Sequence, residues 1–116
     1  MALTALDFQQ ARVKQVLFKS RLRSVLYGVR AAEPSLFVLS ENPLSQWVAA
    51  YLKPSYGPRP EVASIERLLR QTLDTGQALV RQHQRGEMDQ ARQGLEQIER
   101  LATEIDGLLT AIEKSS

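Results

Sequence analysis

Polar and apolar positions along the first thirty residues alternate with helical spacing. Phe8, Ala11, Gln15, Phe18, Leu22, Val25 and Val29 recur at intervals of three and four, which places all seven on one face of a first helix. Thr4, with Asp7 three residues on, predicts its start, because the hydroxyl can cap a free amide. Arg12, Lys14, Lys19, Arg21 and Arg23 occupy the rest of its surface. Gly28 predicts its end, and Glu33-Pro34 a break in the chain. Asn42-Pro43 reads as an N-cap followed by proline at the first helical position. Leu44, Trp47, Val48 and Tyr51 then make one apolar face of a short second helix. From Lys53 to Pro60 the three prolines 54, 58 and 60 predict an irregular connector, since each lacks an amide donor and disfavours helix before it.

A third helix is predicted from about Glu61 to Gln84, with Ile65, Leu68, Leu69, Thr72, Leu73, Gly76, Leu79 and Val80 inward. Arg85-Gly86 marks a turn, after which Glu87 and Asp89 suit the positive end of the next helix. The fourth helix presents Ala91, Leu95, Ile98, Ala102, Ile105, Leu109 and Ile112. Strand-like alternation of useful length is missing. The expected fold is all-α: one domain over residues 1–116, an antiparallel four-helix bundle with a short second helix and a Pro-rich connector.

Composition narrows the function. The chain has 116 residues, 43% hydrophobic and 24% charged, as expected of one globular domain rather than a disordered segment. Cysteine is absent, which excludes disulfides, thiolate ligands and thiol redox switching. Net charge is +2, too weak for a nucleic-acid footprint. It divides into +5 over residues 1–60 and −3 over residues 61–116, a split that suits two halves packed together, a dimer of opposed faces, or ordinary solvated helix surfaces. With no apolar stretch of spanning length and no signal-peptide layout, the expectation is a cytoplasmic protein that does not insert in a membrane.

Catalytic chemistry finds few carriers. His83 is the single histidine, flanked by Gln82, Gln84 and Arg85, and is expected at the surface rather than on a metal. No Ser/His/Asp or Cys/His set exists, and no glycine-rich phosphate loop. The expectation is a protein that is not an enzyme and carries no cofactor or metal. Trp47 is expected as a core anchor. Tyr51, Tyr56 and the nearby prolines suit either a docking surface or a packed connector.

Gln15-Val16-Leu17-Phe18-Lys19, then Asn42-Pro43-Leu44-Ser45-Gln46-Trp47, then Leu69 and Leu73, form an ordered pattern along the chain. It resembles the chemoreceptor zinc-binding (CZB) domain family, whose pattern runs His-x-x-Trp-Lys, Cys-x-Leu-Gly-x-Trp and His-x-x-x-His. Gly76 and the run Arg85-Gly86-Glu87 followed by Ala91 extend the resemblance, which covers roughly Phe8 to Ile112. At the four places where the family holds zinc ligands stand Gln15, Asn42, Leu69 and Leu73. Leucine has no lone pair to give, so the resemblance implies a member that has lost its metal.

Leu69 and Leu73 are four apart and share a helix face, and burying both returns about 1.5–3 kcal/mol each. Gln15 and Asn42 would be polar remnants facing them, in need of partners such as each other, a backbone carbonyl or a small polar ligand. Helix-register and N-cap roles serve as well. The family regulates chemoreceptors and diguanylate cyclases, so the resemblance implies a bacterial signalling or regulatory module. It would act by protein–protein association, as a homodimer or with a chemoreceptor or diguanylate cyclase partner. The alternative is a small-molecule sensor holding an organic ligand at Gln15 and Asn42 in the former zinc cavity. Metal retained through His83 and carboxylates is a third reading.

Overall fold

A computed structural model describes residues 3–115 of the chain. Helix α1 spans Ala5–Leu26. Its start is a closed capping box: Asp7 N–H donates to Thr4 Oγ1 at 3.2 Å and Thr4 N–H donates to Asp7 Oδ2 at 2.8 Å. The face built from Phe8, Ala11, Gln15, Phe18, Leu22 and Val25 is buried as the spacing predicts. Val29 is a correction: it lies beyond the helix end, 80% exposed, and Leu26 closes the seam instead. The cause is Gly28, whose φ of +75° turns the chain away. Val29 N–H reaches back to the Ser24 carbonyl at 2.9 Å and Gly28 N–H to that of Val25 at 3.1 Å, the paired bonds of a Schellman end.

Two short 3-10 turns, Pro34–Phe37 and Leu39–Glu41, lead to α2 at Pro43–Trp47. Asn42 caps it through Oδ1, which accepts the Ser45 amide at 2.9 Å. Here the expected connector is corrected, because the helix continues through a wider π turn at Val48–Leu52 into α3, Lys53–Tyr56. Pro54 cannot donate to the Ala50 carbonyl one turn back, and a local π adjustment lets helix persist where such a bond is missing. The Lys53 amide bonds the Val48 carbonyl instead. Leu52 therefore completes the apolar face, while Tyr51 swings out to 53% exposure. Only Gly57, Pro58 and Arg59 remain as connector.

Helix α4 spans Pro60–Gln84, and every position predicted inward along it is buried, with Val62 added. In its first turn Glu61 accepts from Arg59 Nη2 at 2.9 Å, and that bond holds the Glu61 carboxyl below its ordinary pKa. Gly86, at φ +87°, ends α4 with the same bond pair as Gly28: Glu87 N–H to Gln82 at 2.9 Å and Gly86 N–H to His83 at 3.1 Å. The expected fourth helix arrives as two pieces, α5 Met88–Gln93 and α6 Leu95–Lys114. Between them stands Gly94, where a side chain would run into Leu79 of α4.

The core has two parts along the rod. One gathers Phe8, Trp47, Leu52, Leu69, Ile105 and Ile112; the other gathers Phe18, Leu22, Leu73, Val80, Ala91 and Ile98. The molecule measures 48 × 21 × 21 Å with a radius of gyration of 14.7 Å, against about 13 Å for a compact chain this long. No strand occurs among the described residues, and no helix among them is long and apolar enough to cross a membrane.

Candidate functional site

Gln15 on α1, Asn42 at the start of α2, and Leu69 and Leu73 on α4 line one cavity of about 20 Å³. The four positions singled out by the resemblance thus meet, although the first and last are separated by half the chain. Leu69 and Leu73 fill the wall that α4 offers, each 4% exposed. The remaining space suits one water molecule, which needs roughly 10–15 Å³ on such a measure. An organic ligand does not fit in it.

The two amides are used differently. Gln15, 8% exposed, donates from Nε2 to Asp106 Oδ1 at 2.6 Å and to the Ala102 carbonyl at 3.4 Å. Asn42, 5% exposed, spends Oδ1 on the Ser45 amide. Neither Gln15 Oε1 nor Asn42 Nδ2 has a hydrogen-bond partner among the described residues. The two amides do not bond each other. Thr72, also on this wall, is satisfied by its own helix, donating to the Leu68 carbonyl at 2.7 Å.

Asp106 is the residue that sequence reasoning missed. It stands one turn after Ala102, on the edge of the inward stripe of α6, so a carboxylate beside the seam was the available signal. No three His, Asp or Glu side chains among the described residues come close enough to hold a metal ion. His83 corrects an expectation: it is half-buried, and its Nδ1 is enclosed without a partner among the described residues. Trp47 is 2% exposed and meets Phe8 edge-on at 5.9 Å and 64°, a packed anchor between α1 and α2. Tyr56 receives the Leu3 amide on its hydroxyl at 3.3 Å, while Tyr51 faces outward.

A second feature lies on the back of α1. Leu6, Val13, Val16, Leu17 and Tyr27 are all exposed, and helical spacing places them about opposite the buried seam. Helix α1 therefore carries a second apolar stripe on its back, interrupted by Gln9 and Ser20, with Leu6 67% and Val16 58% exposed. Along one flank Arg12 pairs with Glu113 at 3.1 Å and Lys19 with Glu99 at 3.3 Å. At the far end Tyr27 lies under the Arg92 guanidinium at 4.5 Å and near that of Arg23 at 5.5 Å. Arg92 also donates to the Leu26 carbonyl at 3.0 Å, capping the end of α1. The spacing of 6, 13, 16 and 17 was legible in the sequence but masked by the stronger seam on the other side.

No family profile, no curated protein and no solved structure matches the chain.

Proposed function

We propose that the chain is a metal-free relative of the CZB domain, an antiparallel helical bundle acting as a regulatory module in bacterial chemotaxis or cyclic-di-GMP signalling. Its means of action is association, in the first place with a second copy of itself. The observation that carries this reading is the exposed apolar back of α1. A helix with an apolar stripe on each face suits burial on both. The convergence of Gln15, Asn42, Leu69 and Leu73 on one water-sized cavity supports the metal-free part of the reading.

The stripe is also self-complementary. Laid antiparallel across a two-fold axis between Val16 and Leu17, two α1 helices set Leu6 against Tyr27, Val13 against Ser20 and Val16 against Leu17 of the second copy. An isologous interface requires this reciprocity. The stripe runs about 30 Å at 1.5 Å per residue. On one flank the cations Arg12 and Lys19 are neutralised within their own chain by Glu113 and Glu99. The other flank carries Lys14 and Arg21; this register brings Lys14 nearest Arg21 of the second copy, and the like charges repel.

Native mass spectrometry and sedimentation equilibrium test this. The expected species is a dimer at twice the bare polypeptide mass, tightened by added salt as the Lys14/Arg21 repulsion is screened. Val16→Asp, at an exposed position, is expected to give a folded monomer. A wild-type monomer throughout the micromolar range, or an unchanged Val16→Asp dimer, would sink the association through α1.

A further inference from the structure

Between the second half of α1 and the stretch from Arg30 to Pro43 lies a cavity of about 280 Å³. It is close to the lower end of the roughly 300–1,000 Å³ typical of small-molecule sites. Its apolar lining is Phe18, Val25, Leu36 and Pro43, with the exposed Leu17 at its edge. Its rim carries two cations and two anions, Arg21 and Arg30 with Glu33 and Glu41. None of these four charged groups has an ion pair or hydrogen bond among the described residues, although all four border the same space. Asn42 lines this cavity too, buried to 5% exposure, with Oδ1 committed to its helix cap and Nδ2 free to donate.

We propose that this cavity binds a free α-amino acid with an aliphatic side chain. The argument is one of matched parts. A carboxylate has two guanidinium groups and the Asn42 amide donor to receive it, and Arg is the side chain whose planar fork fits a carboxylate with two parallel bonds. An ammonium group has the Glu33 and Glu41 carboxylates. An aliphatic side chain has the Phe18, Val25 and Leu36 lining, where its burial contributes the non-directional share of affinity. A ligand with one charge alone would leave half of the rim unanswered, and a fully apolar one would use none of it. The site lies beside the water-sized cavity, with Asn42 in the wall of both.

Isothermal titration calorimetry with L-leucine tests the proposal. Two half-probes accompany it: 4-methylpentanoate, which lacks the ammonium, and 3-methylbutylamine, which lacks the carboxylate. The expected result is saturable one-to-one binding of leucine, with each half-probe weaker by about tenfold or more, as loss of a charge-assisted contact implies. Arg21→Gln and Arg30→Gln are each expected to weaken leucine by about tenfold. Both arginines are exposed, so these variants keep the melting temperature of the free protein. Binding persists in Val16→Asp, which separates this result from the fate of the dimer. No saturable binding of leucine, isoleucine, valine or methionine would overturn the proposal. So would full affinity in both arginine variants, or half-probes that bind as well as leucine.

Discussion

Gln15 is held by a carboxylate, and that changes what its replacement costs. The 2.6 Å bond to Asp106 is short, as a bond to a charged acceptor is, and Asp106 is itself half-buried. Gln15→Leu suits the apolar wall but leaves that carboxylate with less than it had, so the expected loss is about 1–3 kcal/mol. Asp106→Leu alone strands the Gln15 amide at a similar cost. The double replacement removes both needs at once, and its loss is expected to fall short of the sum by about 1 kcal/mol or more. Urea unfolding of the three variants reads this coupling, and strict additivity would show that the bond contributes nothing. The inward direction of Gln15 was legible in the sequence, since it holds a seam position. Its partner was not, because the two are 91 residues apart and periodicity tells which face a residue takes, never what lies across from it. Asn42 shows the opposite case: its capping role needs only Ser45, three residues on, and was readable from the Asn-Pro pair.

At the scale of elements, legibility follows the clarity of the stripe. Helix α4 carries a single apolar face over 25 residues, and its bounds and inward positions came from the sequence almost unchanged. Helix α1 holds its seam to Val25, but spacing alone carried it one turn too far, to Val29, past the turn that Gly28 makes. The stretch after Val48 misled for another reason: proline argues against helix locally, whereas the π turn that accommodates Pro54 is a backbone rearrangement with no residue signature of its own. Gly76 shows where packing rather than propensity chose the residue. A Cβ there would stand 3.2 Å from Phe37 Cε1 and 3.3 Å from Leu22 Cδ2, where α4 packs on side chains of α1 and the first 3-10 turn. Gly76→Ala is expected to change stability little, because helix preference for alanine, about 1 kcal/mol, offsets the crowding. Gly76→Leu has no such balance and is expected to cost about 1–3 kcal/mol by overpacking. Thermal unfolding separates the two, and a Leu variant as stable as wild type would mean that this contact yields freely.

The whole molecule is a rod 48 Å long with its charge divided between its parts. The basic first half and acidic second half meet where Arg12 reaches Glu113 and Lys19 reaches Glu99. Surface pairs of this kind contribute about 0–1 kcal/mol each, so their larger effect is to neutralise one flank of the α1 stripe. The other flank, with Lys14 and Arg21, stays cationic and borders the 280 Å³ cavity through Leu17 and Arg21. The proposed self-association and the proposed amino-acid site therefore share Leu17 and Arg21. A bound carboxylate on Arg21 removes part of the charge that opposes a second copy, so ligand and partner favour the same state. Linkage then requires that leucine tighten the dimer by the same factor as the dimer tightens leucine. With one partly exposed charge involved, the expected factor is about two- to tenfold at low ionic strength, shrinking toward one as salt screens the repulsion. Sedimentation equilibrium with and without saturating L-leucine, at low and at high salt, measures it. An unchanged dimer constant at low salt would show that the two surfaces, though adjacent, are energetically separate. A change of equal size at both salt levels would place the coupling in packing around Leu17 rather than in the charge of Arg21.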